Sequence, residues 1–191
     1  QDRLHLRKRP EVLECFDISH LAGTGIVASC VRFEGATPER SRYRHYRIRT
    51  LKTQDDFQAL YEVVSRRAQR GIESSDLPDL MVIDGGKGQL AAASAALSDH
   101  GITDIDIVGL AKSQEARSRA RPSKPERIFV LWQRDPLVLK SHLPALHLLM
   151  HLRDEAHRFA IRYQRALRTK QLRQSVLRRL KGVGPKRTQQ L

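Results

Sequence analysis

The stretch MVIDGGKGQ at residues 81–89 constrains this chain most: an apolar run ends in Asp84 and breaks at once into a glycine turn, and the alanine-rich QLAAASAALSDHG follows. Strand, tight turn and helix in immediate succession belong to an α/β fold, and they leave a carboxylate at the tip of a buried strand. A glycine turn there serves either a nucleotide phosphate or a metal-holding carboxylate. A P-loop needs a glycine four residues ahead of Gly86-Lys87 and a Ser or Thr after the lysine, but those places hold Met81 and Gly88. Gly86, Gly88 and Ala91 do fit a dinucleotide fingerprint. Against that fit, Asp84 would press a negative charge toward a pyrophosphate, and Asp104 and Asp106 precede the apolar part of the next strand instead of following it. The metal reading is the stronger one.

The rest of the chain supplies the frame. VLECFDIS (12–19) and IVASCVRFE (26–34) read as a hairpin joined by AGTG, and SRYRHYRIR (41–49) as a third, more exposed strand. Thr53 and Asp56 signal a helix start, with Phe57, Leu60, Tyr61, Val63 and Val64 at helical spacing. LMVID, the alanine-rich helix and the strand DIDIVGLAK follow, then a polar loop at 113–126 and a small hairpin, IFVLW and LVLK around QRDP. From Pro144 a long helix runs to the region of Arg173, or breaks once on the way. Three meandering strands, then helix, strand, helix, strand and helix is an order that resembles the ribonuclease H-like fold. The expectation is a mixed five-stranded sheet flanked by helices over residues 1–168. Residues 169–191 then form a partial helix-hairpin-helix around Gly-Val-Gly-Pro, a motif that presents glycine amides to a phosphate while Lys181, Lys186 and Arg187 flank it.

If the first and fourth strands are parallel neighbours, Asp17 and Asp84 meet at one end of the sheet. Two carboxylates so placed repel, and a hard divalent cation, Mg²⁺ or Mn²⁺, removes that cost by sharing their oxygens. On the last helix His157 aligns with Leu146, Met150, Arg153, Ala160 and Ile161 and is expected to face the sheet as the third ligand. Asp154, Glu155 and Asp56 are secondary candidates, although Asp56 reads more strongly as a helix cap. His147 and His151 have zinc-like spacing, yet no Glu or Cys set accompanies them, so they read as a solvated pair.

Charge points to the partner. The net charge is +14, and from Ala156 to Leu191 there are eleven Lys or Arg and no acid. A tail without acids suits a polyanion, nucleic acid before membrane lipid. No segment resembles a signal peptide or a membrane span, and Cys15 and Cys30 fall in strand-like runs, so reduced thiols in a cytoplasmic protein are expected.

ECFDISH (14–20), VASCV (27–31), DLMVIDGGKGQL (79–90), GLAK (109–112), RDEAHRFA (153–160) and GVGPKR (182–187) together resemble the C-terminal half of the UvrC family of excinucleases. The resemblance implies the endonuclease that makes the 5′ incision beside a lesion in bacterial nucleotide excision repair. It implies an Asp-Asp-His catalytic and metal set at Asp17, Asp84 and His157, and damaged double-stranded DNA as substrate. DNA contacts are then expected from Lys87, Arg158, Lys181, Gly182, Gly184, Lys186 and Arg187. It also implies parts beyond this chain: a GIY-YIG nuclease, a UvrB-binding segment and a second helix-hairpin-helix, so that the chain reads as a fragment. The alternative is a catalytically silent DNA-binding scaffold on the same fold.

Overall fold

Consecutive apolar residues, as in LMVID, point to both sides of a strand, so both faces of one sheet are buried at once, and that double burial organises the molecule. The structure, a computed structural model, describes residues 3–21, 25–49, 55–111 and 126–178, with side chains as far as residue 169. Seven strands form a single mixed sheet: β1 (Val12–Leu21), β2 (Gly25–Glu34), β3 (Thr37–Pro38), β4 (Arg44–Arg47), β5 (Leu80–Asp84), β6 (Asp106–Ala111) and β7 (Arg127–Phe129). Their order is β3-β2-β1-β5-β6-β7, with β4 also on β2. β1, β5 and β6 run parallel at the centre, and every other pairing is antiparallel. The five expected strands are thus present, and two short ones, β3 and β7, extend the sheet at its edges. Of the expected small hairpin, β7 joins the sheet and the second arm contributes one bridge, Ile128 to Leu137.

Helices cover both faces. Leu13, Cys15, Val31, Phe33, Leu80, Val82, Val108 and Leu110 pack under α3 (Pro144–Arg178), against Leu146, Leu149, Leu152 and Ala156. On the other face Phe16, Ala28, Cys30, Met81, Ile83 and Ile107 pack under α1 (Asp56–Ser74) and α2 (Lys87–Asp99). The period of two therefore sends the odd residues of β1 and the even residues of β5 toward α3. Both cysteines are free and buried, on opposite faces of the sheet.

Three local expectations need correction. The cap of α1 is Asp55, whose carboxylate accepts from the amides of Phe57 (2.9 Å) and Gln58 (3.1 Å). Asp56, the first helical residue, instead bonds His20 Nε2 at 2.7 Å. The inward stripe of α3 is also shifted: Leu146, Arg153 and Ala160 are buried as expected, Leu149, Leu152 and Ala156 join them, and His157 is exposed. An arginine held by Glu126 at 2.6 Å is what lets so polar a position turn inward. α3 runs without interruption across residues 168 and 169 to Arg178, past the expected end near Arg173. Residues 22–24 of the AGTG turn, Thr53, residues 113–125 of the expected polar loop and the Gly-Val-Gly-Pro motif lie outside the described residues. Among the described residues, no helix is long and apolar enough to cross a membrane.

Candidate metal centre

The parallel register of β1 and β5 ends at Phe16 beside Ile83, and Asp17 and Asp84 are the next residue on each strand. Both share the face of Cys15 and Val82, which is the face under α3. α3 brings His157 over them. One ligand atom from each of Asp17, Asp84 and His157 lies within 4.8 Å of the other two. His157 Nδ1 is 4.0 Å from Asp17 Oδ2. The three differ in exposure: Asp17 is buried, Asp84 half-buried and His157 open to solvent. A buried anion at the back of the site and an exposed histidine at its mouth suit a site that a charged group enters from outside.

Burial pushes the Asp17 carboxyl above its ordinary value, and the Ser19 hydroxyl, the nearby His157 and a bond with Asp84 act the other way without cancelling it. Ser19 Oγ donates to Asp17 Oδ2 at 3.1 Å. Ser19 is two residues on from Asp17 and therefore on the same face, a spacing that sequence reading passed over. A carboxyl whose folded pKa is raised gives stability that is complete below its unfolded value near 3.8 and is lost as pH rises through the folded value. In metal-free buffer at pH 7, Asp17→Asn is therefore expected to melt higher than the parent, with the gap closing as pH falls toward 4. Differential scanning calorimetry across that range checks it; an equal or lower melting temperature at pH 7 contradicts it.

The donor set fits a hard divalent cation. Two carboxylates and one imidazole, converging on one point with Asp17 already destabilised as an anion by burial, match the oxygen-rich chemistry of Mg²⁺ or Mn²⁺. The secondary candidates are occupied elsewhere: Asp154 pairs with Arg153 at 3.1 Å, and Asp56 with His20. Glu155 is buried, accepting from the Tyr43 hydroxyl at 3.3 Å and pairing with Arg158. His147 and His151 are exposed, and the His151 ring packs edge-on against Phe33 at 5.1 Å. Lys87 opens α2 and is exposed; its ammonium donates to the Arg134 carbonyl at 3.3 Å.

The glycines around Asp84 have distinct reasons to be there. A Cβ on Gly86 would meet nothing within 4 Å, so this face of the turn is open to an approaching backbone. A Cβ on Gly85 would collide with Gln89, whose carboxamide oxygen accepts from the Gly86 amide at 3.0 Å and starts α2. From below, Gly109 of β6 supports the turn so closely that a Cβ there would sit 2.9 Å from the Gly85 carbonyl oxygen. Clearance for a ligand thus explains Gly86 alone of these three.

In class, a sheet with parallel centre strands that end in carboxylates beneath a covering helix is an RNase H-like α/β domain. The chain belongs to the UvrC RNase H endonuclease domain family, whose model matches residues 1–161. It is 42% identical over 194 residues to the UvrABC system protein C of Geobacter metallireducens, covering 100% of this chain and 32% of that protein. It is 46% identical over 186 residues to the protein of the same name from Gemmatimonas aurantiaca, covering 97% of this chain and 28% of that one. The chain therefore spans about a third of the length of these relatives. Its fold is also similar to a crystal structure of Ciona intestinalis endonuclease V in complex with a 24-mer DNA containing inosine. That likeness has a TM-score of 0.50 at 11% identity, over 83% of this chain and 88% of the other. At that identity the likeness is one of fold.

Proposed function

We propose that this chain is a divalent-metal-dependent DNA endonuclease domain that hydrolyses a phosphodiester bond, and that in its longer parent it makes the incision 5′ of a lesion during nucleotide excision repair. The observation that carries the chemistry is the convergence of Asp17, Asp84 and His157 from three separate elements within 4.8 Å. The choice of the 5′ side rests on membership of the family.

Asp17 and Asp84 would hold Mg²⁺ or Mn²⁺, and His157 would complete the set or orient the attacking water. When bound, such an ion lowers the pKa of water and offsets charge on the phosphate. Ser19 fixes the orientation of the Asp17 carboxylate, as hydrogen-bonded partners of metal-holding carboxylates do. Gly86 leaves room for a phosphate beside Asp84, and Lys87, exchanging the Arg134 carbonyl for that phosphate, would steady it. Arg158, exposed one residue past His157, would hold the strand by its backbone and not by its bases.

Damaged double-stranded DNA is the proposed substrate. The basic segment beyond residue 168, with Lys181, Gly182, Gly184, Lys186 and Arg187 as its phosphate contacts, is proposed as a partial helix-hairpin-helix that continues from α3. UvrB is the proposed protein partner, engaged by a segment of the longer protein, and the cytoplasm is the compartment this work requires.

Metal removal tests the reading. On bubble DNA the chain is expected to convert substrate to a nicked product with Mn²⁺ or Mg²⁺ and to stop in excess EDTA. Nicking that continues at the same rate in EDTA would refute the metal mechanism.

A further inference from the structure

The edge of the sheet at β4 carries charge that the metal centre does not use. Residues 40–49 hold five arginines and no acid. β4 pairs with β2 on one side, and α1 reaches it through Arg66, which bonds the Arg47 carbonyl and lies over the Tyr46 ring. Between them lies a groove of about 700 Å³ lined by Arg44, Arg49, Arg66 and Arg70, against Glu62 and Glu73. Four guanidinium groups outnumber two carboxylates, and Glu62 is already engaged, accepting from the Arg49 amide at 3.1 Å.

Two of the arginines are held in place before any ligand arrives. Arg44 Nη1 donates to the carbonyls of Ser41 (2.7 Å) and Tyr43 (2.8 Å). Arg66 Nη1 donates to the Arg47 carbonyl at 2.7 Å, pairs with Glu62 at 3.2 Å and lies over the Tyr46 ring at 5.4 Å. Ordering long side chains in advance removes part of the entropy that binding would otherwise cost. Arg49 and Arg70 are exposed.

We propose that this groove binds the phosphodiester backbone of the same DNA that the metal centre cuts, as a contact surface separate from the basic C-terminal segment. The inference rests on the reading of the site as a DNA nuclease. Three features favour nucleic acid over an acidic protein face. Guanidinium forks match phosphate oxygens. The aromatic lining residue, Tyr46, is buried, so the groove offers no exposed apolar anchor of the kind that dominates protein interfaces. The groove and the site also share the β4 edge from opposite faces of the sheet: Asp17, Ser29 and His45 are paired across β1, β2 and β4 on the α3 face, where the His45 ring stacks on Phe159 at 3.9 Å and Tyr163 at 4.0 Å, while the neighbouring Tyr46 packs on the α1 face and lines the groove. β4 is thus two strands from Asp17, about 10 Å at ordinary strand spacing, so a duplex that crosses this edge meets both.

The test is fluorescence anisotropy of labelled duplex and bubble DNA with the 191-residue chain, in EDTA so that the metal centre takes no part. Arg49→Gln/Arg70→Gln is compared with the parent and with Arg9→Gln/Lys140→Gln, an equal charge change at two exposed positions elsewhere. The groove variant is expected to bind about tenfold or more weakly at 0.1 M salt, and the slope of log affinity against log salt to fall by about two. The control pair should stay close to the parent. Unchanged affinity and slope in the groove variant would overturn the inference and leave the groove to an acidic protein partner. An equal loss in the control, or a parent that binds no DNA at low salt, would overturn it too. Mn²⁺ titration of the same proteins reports on the metal centre alone: absence of Mn²⁺ binding counts against the nuclease reading, whereas the anisotropy counts for or against the groove.

Discussion

Asp84→Asn is expected to slow Mn²⁺-dependent nicking of bubble DNA by about 100-fold or more while leaving the melting temperature near that of the parent. The substitution keeps shape and removes one negative charge at a half-buried strand end. A bound divalent ion contributes several kcal/mol of charge stabilisation in phosphoryl transfer, and losing about 3 kcal/mol corresponds to roughly two powers of ten in rate. The residual rate should rise with added Mn²⁺, because Asp17 and His157 remain. If the variant nicks as fast as the parent, Asp84 has no part in the chemistry and the site is misplaced.

The second large effect is on stability. Glu14 and Arg67 are side-by-side ions under the α1 face, 4% and 6% exposed, joined by two bonds of 2.8 Å each. Arg67 also donates to the Asp76 carbonyl, and Arg32 lies 3.7 Å from Glu14 while bonding the Asp76 carboxylate at 2.6 Å. Removing one ion leaves the other buried and uncompensated, which ordinarily costs about 3–5 kcal/mol. Arg67→Ala should therefore lower the free energy of unfolding in urea by about 3 kcal/mol, the low end, because Arg32 remains as a second partner for Glu14. Glu14→Leu/Arg67→Leu should recover most of the loss, since a buried pair replaced by apolar side chains is often neutral. A cost below about 1 kcal/mol for the single change would mean that water reaches Glu14 freely.

That ionic cluster also marks where sequence reading stops. Glu14 sits in an apolar strand and Arg67 in an amphipathic helix 53 residues on, and nothing local in either run names the other. By contrast Asp84 was legible because it ends an apolar run, and Asp17 because the order of elements resembles a fold in which its strand and that of Asp84 are parallel neighbours. His157 was legible in identity but not in environment. A helical wheel sums residues by hydropathy, whereas the sheet also takes Leu149, Leu152 and Ala156 on the neighbouring line of α3, which leaves Met150 and Ile161 only partly covered and His157 at the rim. The short edge strands β3 and β7 hold two and three residues, too few to show a period of two. The α1 cap moved from Thr53-Asp56 to Asp55 because three acceptor residues crowd the helix start, and only backbone geometry chooses among them. The β4 groove was invisible for a related reason: Arg66 is 19 residues from Arg47, and only the packing of α1 against the sheet edge brings the arginines of the two elements together.

The central claim is that Asp17 and Asp84 together make a divalent-cation site. Isothermal titration of Mn²⁺ into the parent and into Asp17→Asn/Asp84→Asn tests it without requiring that the chain cut DNA. Saturable binding to the parent and none to the double variant is the predicted result; Mn²⁺ binding of equal affinity in the variant would contradict it.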